Sequence, residues 1–215
     1  MFVFDILTFF KTIFISHVDS KVVDDVIEMI KGHFGNIIVI RGKQHKFLGI
    51  NVKLRDDKKV EIDMVNQLQE CIDLFNKYSQ LKITEKASTP AQKDLRIVDE
   101  DSPDVSSFKR ELFHSLVQKL LWIMMWSRPD MQTTISFLCT RVTKSTVQDW
   151  AKLRRLLSFI YGTINDVRII GADSLDKIYL WVDTAYAVNN DMKSQTGGTM
   201  SMRTGVIHSK CSEKS

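Results

Sequence analysis

Between residues 109 and 162 the apolar residues return every three or four positions, and the run breaks twice at places where a helix would break. This pattern constrains the chain more than any other feature, because a stripe at the helical period must find an apolar partner once it folds. The first segment, 109–126, carries Leu112, Phe113, Leu116, Val117, Leu120, Leu121 and Met124. Ser127-Arg128-Pro129-Asp130 interrupts it. Pro129 suits the first turn of a new helix, where its missing N–H is no loss, and Asp130 suits that helix's positive end. The second segment carries Met131, Ile135, Leu138 and Val142. The third starts at Ser145 or Thr146, with Asp149 placed for a capping box, and runs through Trp150, Leu153, Leu157 and Tyr161 to Gly162. Three such helices form a packing unit.

The flanks have a different character. Upstream, Asp19 and Ser20 make an N-cap for a helix carrying Val22, Val23, Val26, Ile27 and Ile30, which Gly32 and Gly35 stop. NIIVIR at 36–41, KFLGINVKL at 46–54 and KKVEI at 58–62 follow, with turns at Gly42-Lys43 and Asp56-Asp57, and predict a β-meander. A helix over 64–78 then presents Met64, Leu68, Cys71, Ile72 and Phe75 on one stripe. Positions 82–108 are polar, hold two of the three prolines and show no period, as expected of a linker or long surface loop. Downstream, IYLWVDTAY at 178–186 alternates, with Ile178, Leu180 and Val182 on one face and Tyr179, Trp181 and Asp183 on the other. TMSM and VIHSK add two more strands. The fold class predicted is α+β, with a sheet-and-helix part at 1–80, a linker at 81–108, a helical part at 109–170 and an antiparallel β-sheet over 171–215.

A chain of 215 residues with 44% hydrophobic and 26% charged residues suits one large domain or two small ones and excludes disorder along its whole length. The 9 Gly and 3 Pro exclude collagen-like or Pro-rich character. The net charge of +4 permits a polyanionic partner without demanding one. Cys71, Cys139 and Cys211 are far apart and form no CxxC pair, so they read as reduced thiols of an intracellular protein. The opening MFVFDILTFFKTIFI is interrupted by Asp5 and Lys11, has no basic stretch before it and no small-residue cleavage site after it. Neither a signal peptide nor a membrane anchor is expected from it.

Few residues point to chemistry. Asp183 sits on a strand beside Trp181, and a carboxylate there is costly to bury unless it is paired or bound to metal. One carboxylate does not hold two divalent cations, and the neighbouring strands supply no obvious second. Asp24-Asp25, Asp56-Asp57 and Asp99-Glu100-Asp101 read as solvated charges. Arg128, Arg141, Lys144, Lys152, Arg154 and Arg155, near Trp126 and Trp150, are candidates for a phosphate-backbone contact, although a solvated helix face explains them as well. No P-loop, GxGxxG, GxSxG or HExxH is present.

The order of motifs carries more information than any one of them. HKFLGINV, TPA, FHSLVQKLLWIMMWSRPDMQTTISFLCTRV, WAKLRRLLSFIYGTI and WVDTAYAVNNDMKSQTGG occur in that sequence over nearly all of 17–210. The series resembles the Pol polyprotein of copia-type long-terminal-repeat retrotransposons, from the end of the reverse transcriptase palm into the start of ribonuclease H. That resemblance implies that Phe47, Leu48 and Gly49 belong to the primer-grip hairpin, which positions a primer terminus. It implies that the helices of 64–78 and 109–162 are thumb and connection, holding a template–primer duplex through its backbone. It places Asp183 at the first ribonuclease H carboxylate, a magnesium ligand. Phe2-Val3-Phe4-Asp5 aligns with the palm's YVDD, so Asp5 stands at its second aspartate and Phe4 at its first. Gln118 replaces a usual glycine.

The family's remaining carboxylates fall outside the sequence at both ends, so the resemblance implies Mg2+ as cofactor and an expectation that this chain alone does not hold it stably. The implied partners are an RNA–DNA or template–primer duplex and the remainder of the Pol polyprotein, with no membrane. The alternative reading is a non-catalytic nucleic-acid-binding module derived from such an element and resting on Arg128, Arg141, Lys152, Arg154 and Arg155.

Overall fold

The structure is a computed structural model that describes residues 13–174, 176–185 and 194–214. Asp5 and the rest of the aligned YVDD-like segment lie outside the described residues. The fold is α+β, with α-helices and antiparallel sheets. Among the described residues no helix is long and apolar enough to cross a membrane.

Helix α1 spans Ser20–Phe34 and starts where the sequence says it should, with the Asp19 carboxylate accepting from the Lys21 N–H at 2.9 Å. Gly35, at φ 76°, ends it. The expected strand over 36–41 does not form. Ile38 is 93% exposed and Ile40 74%, and among the described residues no strand pairs with either. The meander is displaced downstream, to β1 (Gln44–Phe47), β2 (Ile50–Leu54) and β3 (Val60–Asp63). The physical reason is a turn hidden inside the expected 46–54 strand. Leu48 and Gly49 both take positive φ, 51° and 81°, which folds KFLGINV back on itself as a two-residue hairpin.

The helical part forms as its stripe demands. Helix α2 (Val65–Tyr78), α3 (Ser107–Trp126), α4 (Gln132–Thr140) and α5 (Val147–Gly162) enclose one core. Leu68, Cys71, Ile72 and Phe75 of α2 meet Phe113, Leu116 and Leu120 of α3, and Phe75 stacks on Trp150 of α5 at 5.1 Å between centroids. Pro129 opens a single 3₁₀ turn, Pro129–Met131, that leads into α4. The capping box is present in full: Thr146 and Asp149 bond each other's backbone at the start of α5.

Residues 79–106 contain no helix and no ladder strand, only an isolated bridge from Asp104 to Thr146. They nonetheless lie firmly across α5. Ile83, Leu95 and Val105 are buried, the Ala87 N–H donates to the Ser158 carbonyl, and the Val147 N–H donates to the Pro103 carbonyl.

Strand β4 (Arg168–Ala172) went unpredicted. It pairs antiparallel with β3, Val60 facing Ile170, and extends the first sheet to the order β1-β2-β3-β4-β7, where β7 is Arg203–Thr204. A second antiparallel sheet has the order β5-β6-β8, with β5 at Tyr179–Ala185, β6 at Ser194–Ser201 and β8 at Val206–Lys214. The alternation read in β5 does not bury a face: Ile178, Leu180, Trp181 and Val182 are all more than half exposed.

Candidate nucleic-acid interface

The Phe47-Leu48-Gly49 element sits at the tip of the β1–β2 hairpin, against the first turns of α2. The Gln67 side-chain amide donates to the Gly49 carbonyl at 2.5 Å. A Cβ on Gly49 would meet that same amide, the movable end of the Gln67 side chain, so it is the φ of 81° that favours glycine there. Next to the turn, the Asn51 amide donates to the Asp63 carboxylate at 2.8 Å, and that carboxylate also accepts from the Val65 N–H at the start of α2. Phe47 is half-buried and packs near the Phe14 ring, 6.2 Å away. The tip is therefore tied to α2 through Gln67.

Charge surrounds the hairpin. Lys46 is exposed one residue before Phe47. Lys43 pairs with Asp56, Arg41 with Asp24, and Lys53 with Glu61 at 3.7 Å. The first two of these pairs are exposed and contribute little, about 0–1 kcal/mol.

The cations expected on the second and third helices are distributed between the interior and the surface. Arg128 is 2% exposed. Its guanidinium donates to both oxygens of Asp130 at 2.9 and 2.7 Å and to the Thr163 carbonyl and hydroxyl at 2.9 and 2.8 Å, and it lies over the Phe159 ring. Arg141 donates to the fully buried Asp149 carboxylate at 3.1 Å. Lys152 donates to the Ile97 carbonyl at 2.7 Å and covers the Phe137 ring. Burial pulls the Lys152 ammonium below the usual lysine value, opposed by the Asp149 and Asp94 carboxylates. Arg155 donates to the Thr89 hydroxyl at 2.9 Å. Arg154 and Lys144 are exposed. Of the two tryptophans expected between them, Trp150 is buried against Phe75, whereas Trp126 is exposed and packs against Trp122 at 5.6 Å.

Asp183 lies on β5, exposed, opposite Gly197 of β6, which in turn faces Cys211 of β8. Among the described residues no three His, Cys, Asp or Glu side chains gather where they could hold a metal ion. Among the described residues the donors beside Asp183 do not make up the several oxygens of an octahedral magnesium set.

Sequence reasoning passed over Arg168, whose only signal was a lone cation in an apolar strand. Its guanidinium donates to the Trp126 carbonyl at the end of α3 at 2.7 Å and to the Val206 and Ile207 carbonyls at the start of β8 at 2.6 and 2.9 Å. Burial pulls it below the usual arginine value. It joins the helical core to the second sheet.

No protein-family model matches the chain, and no solved structure matches it. The chain is similar to an uncharacterized mitochondrial protein of Arabidopsis thaliana, AtMg00810, with 25% identity over 159 residues, 73% of this chain and 62% of that protein. It thus spans less than two thirds of that relative's length.

Proposed function

We propose that the chain derives from a copia-type retroelement polymerase and acts by holding a template–primer or RNA–DNA duplex through its phosphate backbone. The observation that carries this reading is the hairpin tip. The three residues that resemble a primer grip, Phe47, Leu48 and Gly49, stand at a two-residue turn that α2 braces through Gln67. The tip offers its backbone and an adjacent cation, Lys46, to a strand end, and it has no group that makes or breaks a bond. The helices α2–α5 form the rigid mass behind it. No catalytic step is assigned to magnesium, because Asp183 stands without the further carboxylates that two-metal chemistry needs among the described residues.

The test is fluorescence anisotropy with a labelled RNA–DNA hybrid over a range of salt. Binding at low salt that weakens linearly in log salt is the expected result. Leu48→Pro, which forbids positive φ at the turn, lowers hybrid affinity while Ile38→Pro, in the exposed extended segment, does not. Absence of binding at low salt, or binding indifferent to salt, would refute the reading. So would primer extension or hybrid cleavage by the chain with magnesium that disappears in Asp183→Asn, because the function would then be catalytic.

A further inference from the structure

The second sheet has the order β5-β6-β8, so β5 and β8 are its outer strands. Strand β8 lies against α4, and Arg168 takes the Val206 and Ile207 carbonyls at its start. Strand β5 pairs with β6 along one side and, among the described residues, with no strand along the other. An edge of this kind is a template for a further strand unless Pro, Lys or a bulge blunts it. The seven residues Tyr179–Ala185 contain neither Pro nor Lys, and their register with β6 runs unbroken.

The side chains of this edge are uncovered as well. Ile178, Leu180 and Val182 on one face and Trp181 on the other are each more than half exposed. Val182 faces Gly198 and Asp183 faces Gly197, so β6 sets no side chain directly opposite either. Tyr179 stacks on Trp181 along the strand, with centroids 6.1 Å apart. Lys177 and Asp183 are exposed at the two ends of this stretch.

The edge is complementary to itself. A two-fold axis normal to the sheet sets two copies of one strand antiparallel and keeps each side chain on its own face, so the pairing must centre on a residue that faces its own copy. Centred on Leu180, Ile178 faces Val182, Tyr179 faces Trp181 and Lys177 faces Asp183. Each apolar side chain then meets an apolar one, and each ammonium meets a carboxylate. Centred on Trp181, Asp183 faces Tyr179 and Ile178 faces Thr184. Centred on Tyr179, Lys177 faces Trp181 and Asp176 faces Val182. Of the three registers, the one on Leu180 alone sets charge against opposite charge.

We propose that β5 pairs with β5 of a second copy of this chain in the Leu180-centred register, joining two three-stranded sheets into one continuous antiparallel sheet. The inference stands apart from the nucleic-acid reading above. Sedimentation velocity over a range of concentration tests it. The chain sediments at 24.8 kDa when dilute and approaches twice that mass as concentration rises. Leu180→Lys, at a side chain 68% exposed, sets two ammonium groups against each other on the axis and raises the dimer Kd about tenfold or more. Asp183→Lys weakens the dimer likewise, because each Lys177 then faces a second cation. Lys177→Asp/Asp183→Lys exchanges the two charges and returns the Kd to that of the wild type. Ile38→Lys, an equal charge gained at an exposed apolar side chain of the 36–41 segment, leaves the Kd unchanged.

A mass of 24.8 kDa at every concentration would overturn the proposal. Amide exchange then tells what takes its place: protected β5 amides mean that another part of the same chain covers the edge, and unprotected ones leave it to a different partner. A dimer indifferent to Leu180→Lys is built on another surface and overturns the proposal too. A loss in Asp183→Lys that the charge exchange does not recover would refute the register. That exchange keeps the test decisive if Leu180→Lys disturbs the strand itself.

Discussion

Replacing Arg128 by alanine separates a cation that holds the fold from one that holds a ligand. The side chain links the end of α3, the start of α4 and the end of α5 through Asp130 and Thr163. Asp130 is 44% exposed, so its carboxylate regains water when the arginine is removed, and the ion pair itself counts for about 0–1 kcal/mol. The Thr163 carbonyl and hydroxyl are part-buried and lose their donors, which costs about 1–3 kcal/mol. Loss of the cation over the Phe159 ring adds about 0.5–2 kcal/mol. The sum is about 1.5–6 kcal/mol, or a fall of about 3–24 °C in Tm for a chain of this size. Arg128→Lys keeps the charge but not the planar fork and recovers less than half of the loss. Thermal melts by circular dichroism read both variants. In parallel, Arg128→Lys and Arg128→Met leave the salt slope of nucleic-acid binding unchanged, because no phosphate reaches a guanidinium at 2% exposure. A Tm shift under about 2 °C for Arg128→Ala, or a slope reduced by about 0.9 in Arg128→Met, would refute this reasoning.

Three further outcomes are expected. Asp149→Ala removes the carboxylate half of the α5 capping box and leaves Arg141 without its buried partner, for a loss of about 2–4 kcal/mol in chemical denaturation, whereas Asp149→Asn keeps an acceptor for the Thr146 N–H and loses less. Arg168→Met frees the carbonyls of Trp126, Val206 and Ile207, so amide exchange rises in β8 while the α2–α5 core stays protected. Burial pushes the Cys71 thiol from its ordinary 9.0 up to about 12. The native state then keeps a proton that the unfolded chain gives up, so stability is full below pH 9.0 and falls at higher pH by up to about 1.4 kcal/mol per pH unit. Denaturation curves of Cys71→Ala lack that component of the alkaline decline.

What the sequence made legible is what its residues decide locally. The α3–α5 stripe, the Pro129 break and the Thr146/Asp149 box lie within a few residues of the structures they produce. NIIVIR has strong β-propensity yet forms no strand, because a strand exists only with a partner and among the described residues none pairs with it. The turn at Leu48 is braced by Gln67 on another element, so its positive φ left no mark in the sequence around it. Strand β4 pairs with β3 from more than a hundred positions downstream, a register that no local pattern announces. The cations follow the same rule. Sequence gives the charge of Arg128, Arg141, Lys152 and Arg155 but not Thr163, Asp149, Ile97 and Thr89, the groups to which the fold delivers them. The 82–108 stretch looked featureless because its order comes from α5 beneath it.

The connection between the two sheets shows how far one position can depend on this long-range order. Strand β7 ends the first sheet and β8 begins in the second, and only Gly205 lies between them. Its φ is 73°, a conformation that costs an L side chain about 1–2 kcal/mol. A Cβ there would also overlap the Ile169 carbonyl, and Ile169 is fixed by its pairing with Glu61 of β3, so the backbone has no direction in which to yield. Overpacking of this kind adds about 1–3 kcal/mol. Gly205→Ala therefore loses about 2–5 kcal/mol, and the loss falls on the β7–β8 junction. Gly32→Ala is the contrast: that glycine lies inside α1 with nothing near its missing Cβ, and the substitution gains about 0.5–1 kcal/mol. If urea denaturation ranks the two substitutions alike, the two sheets are not joined through this turn in solution.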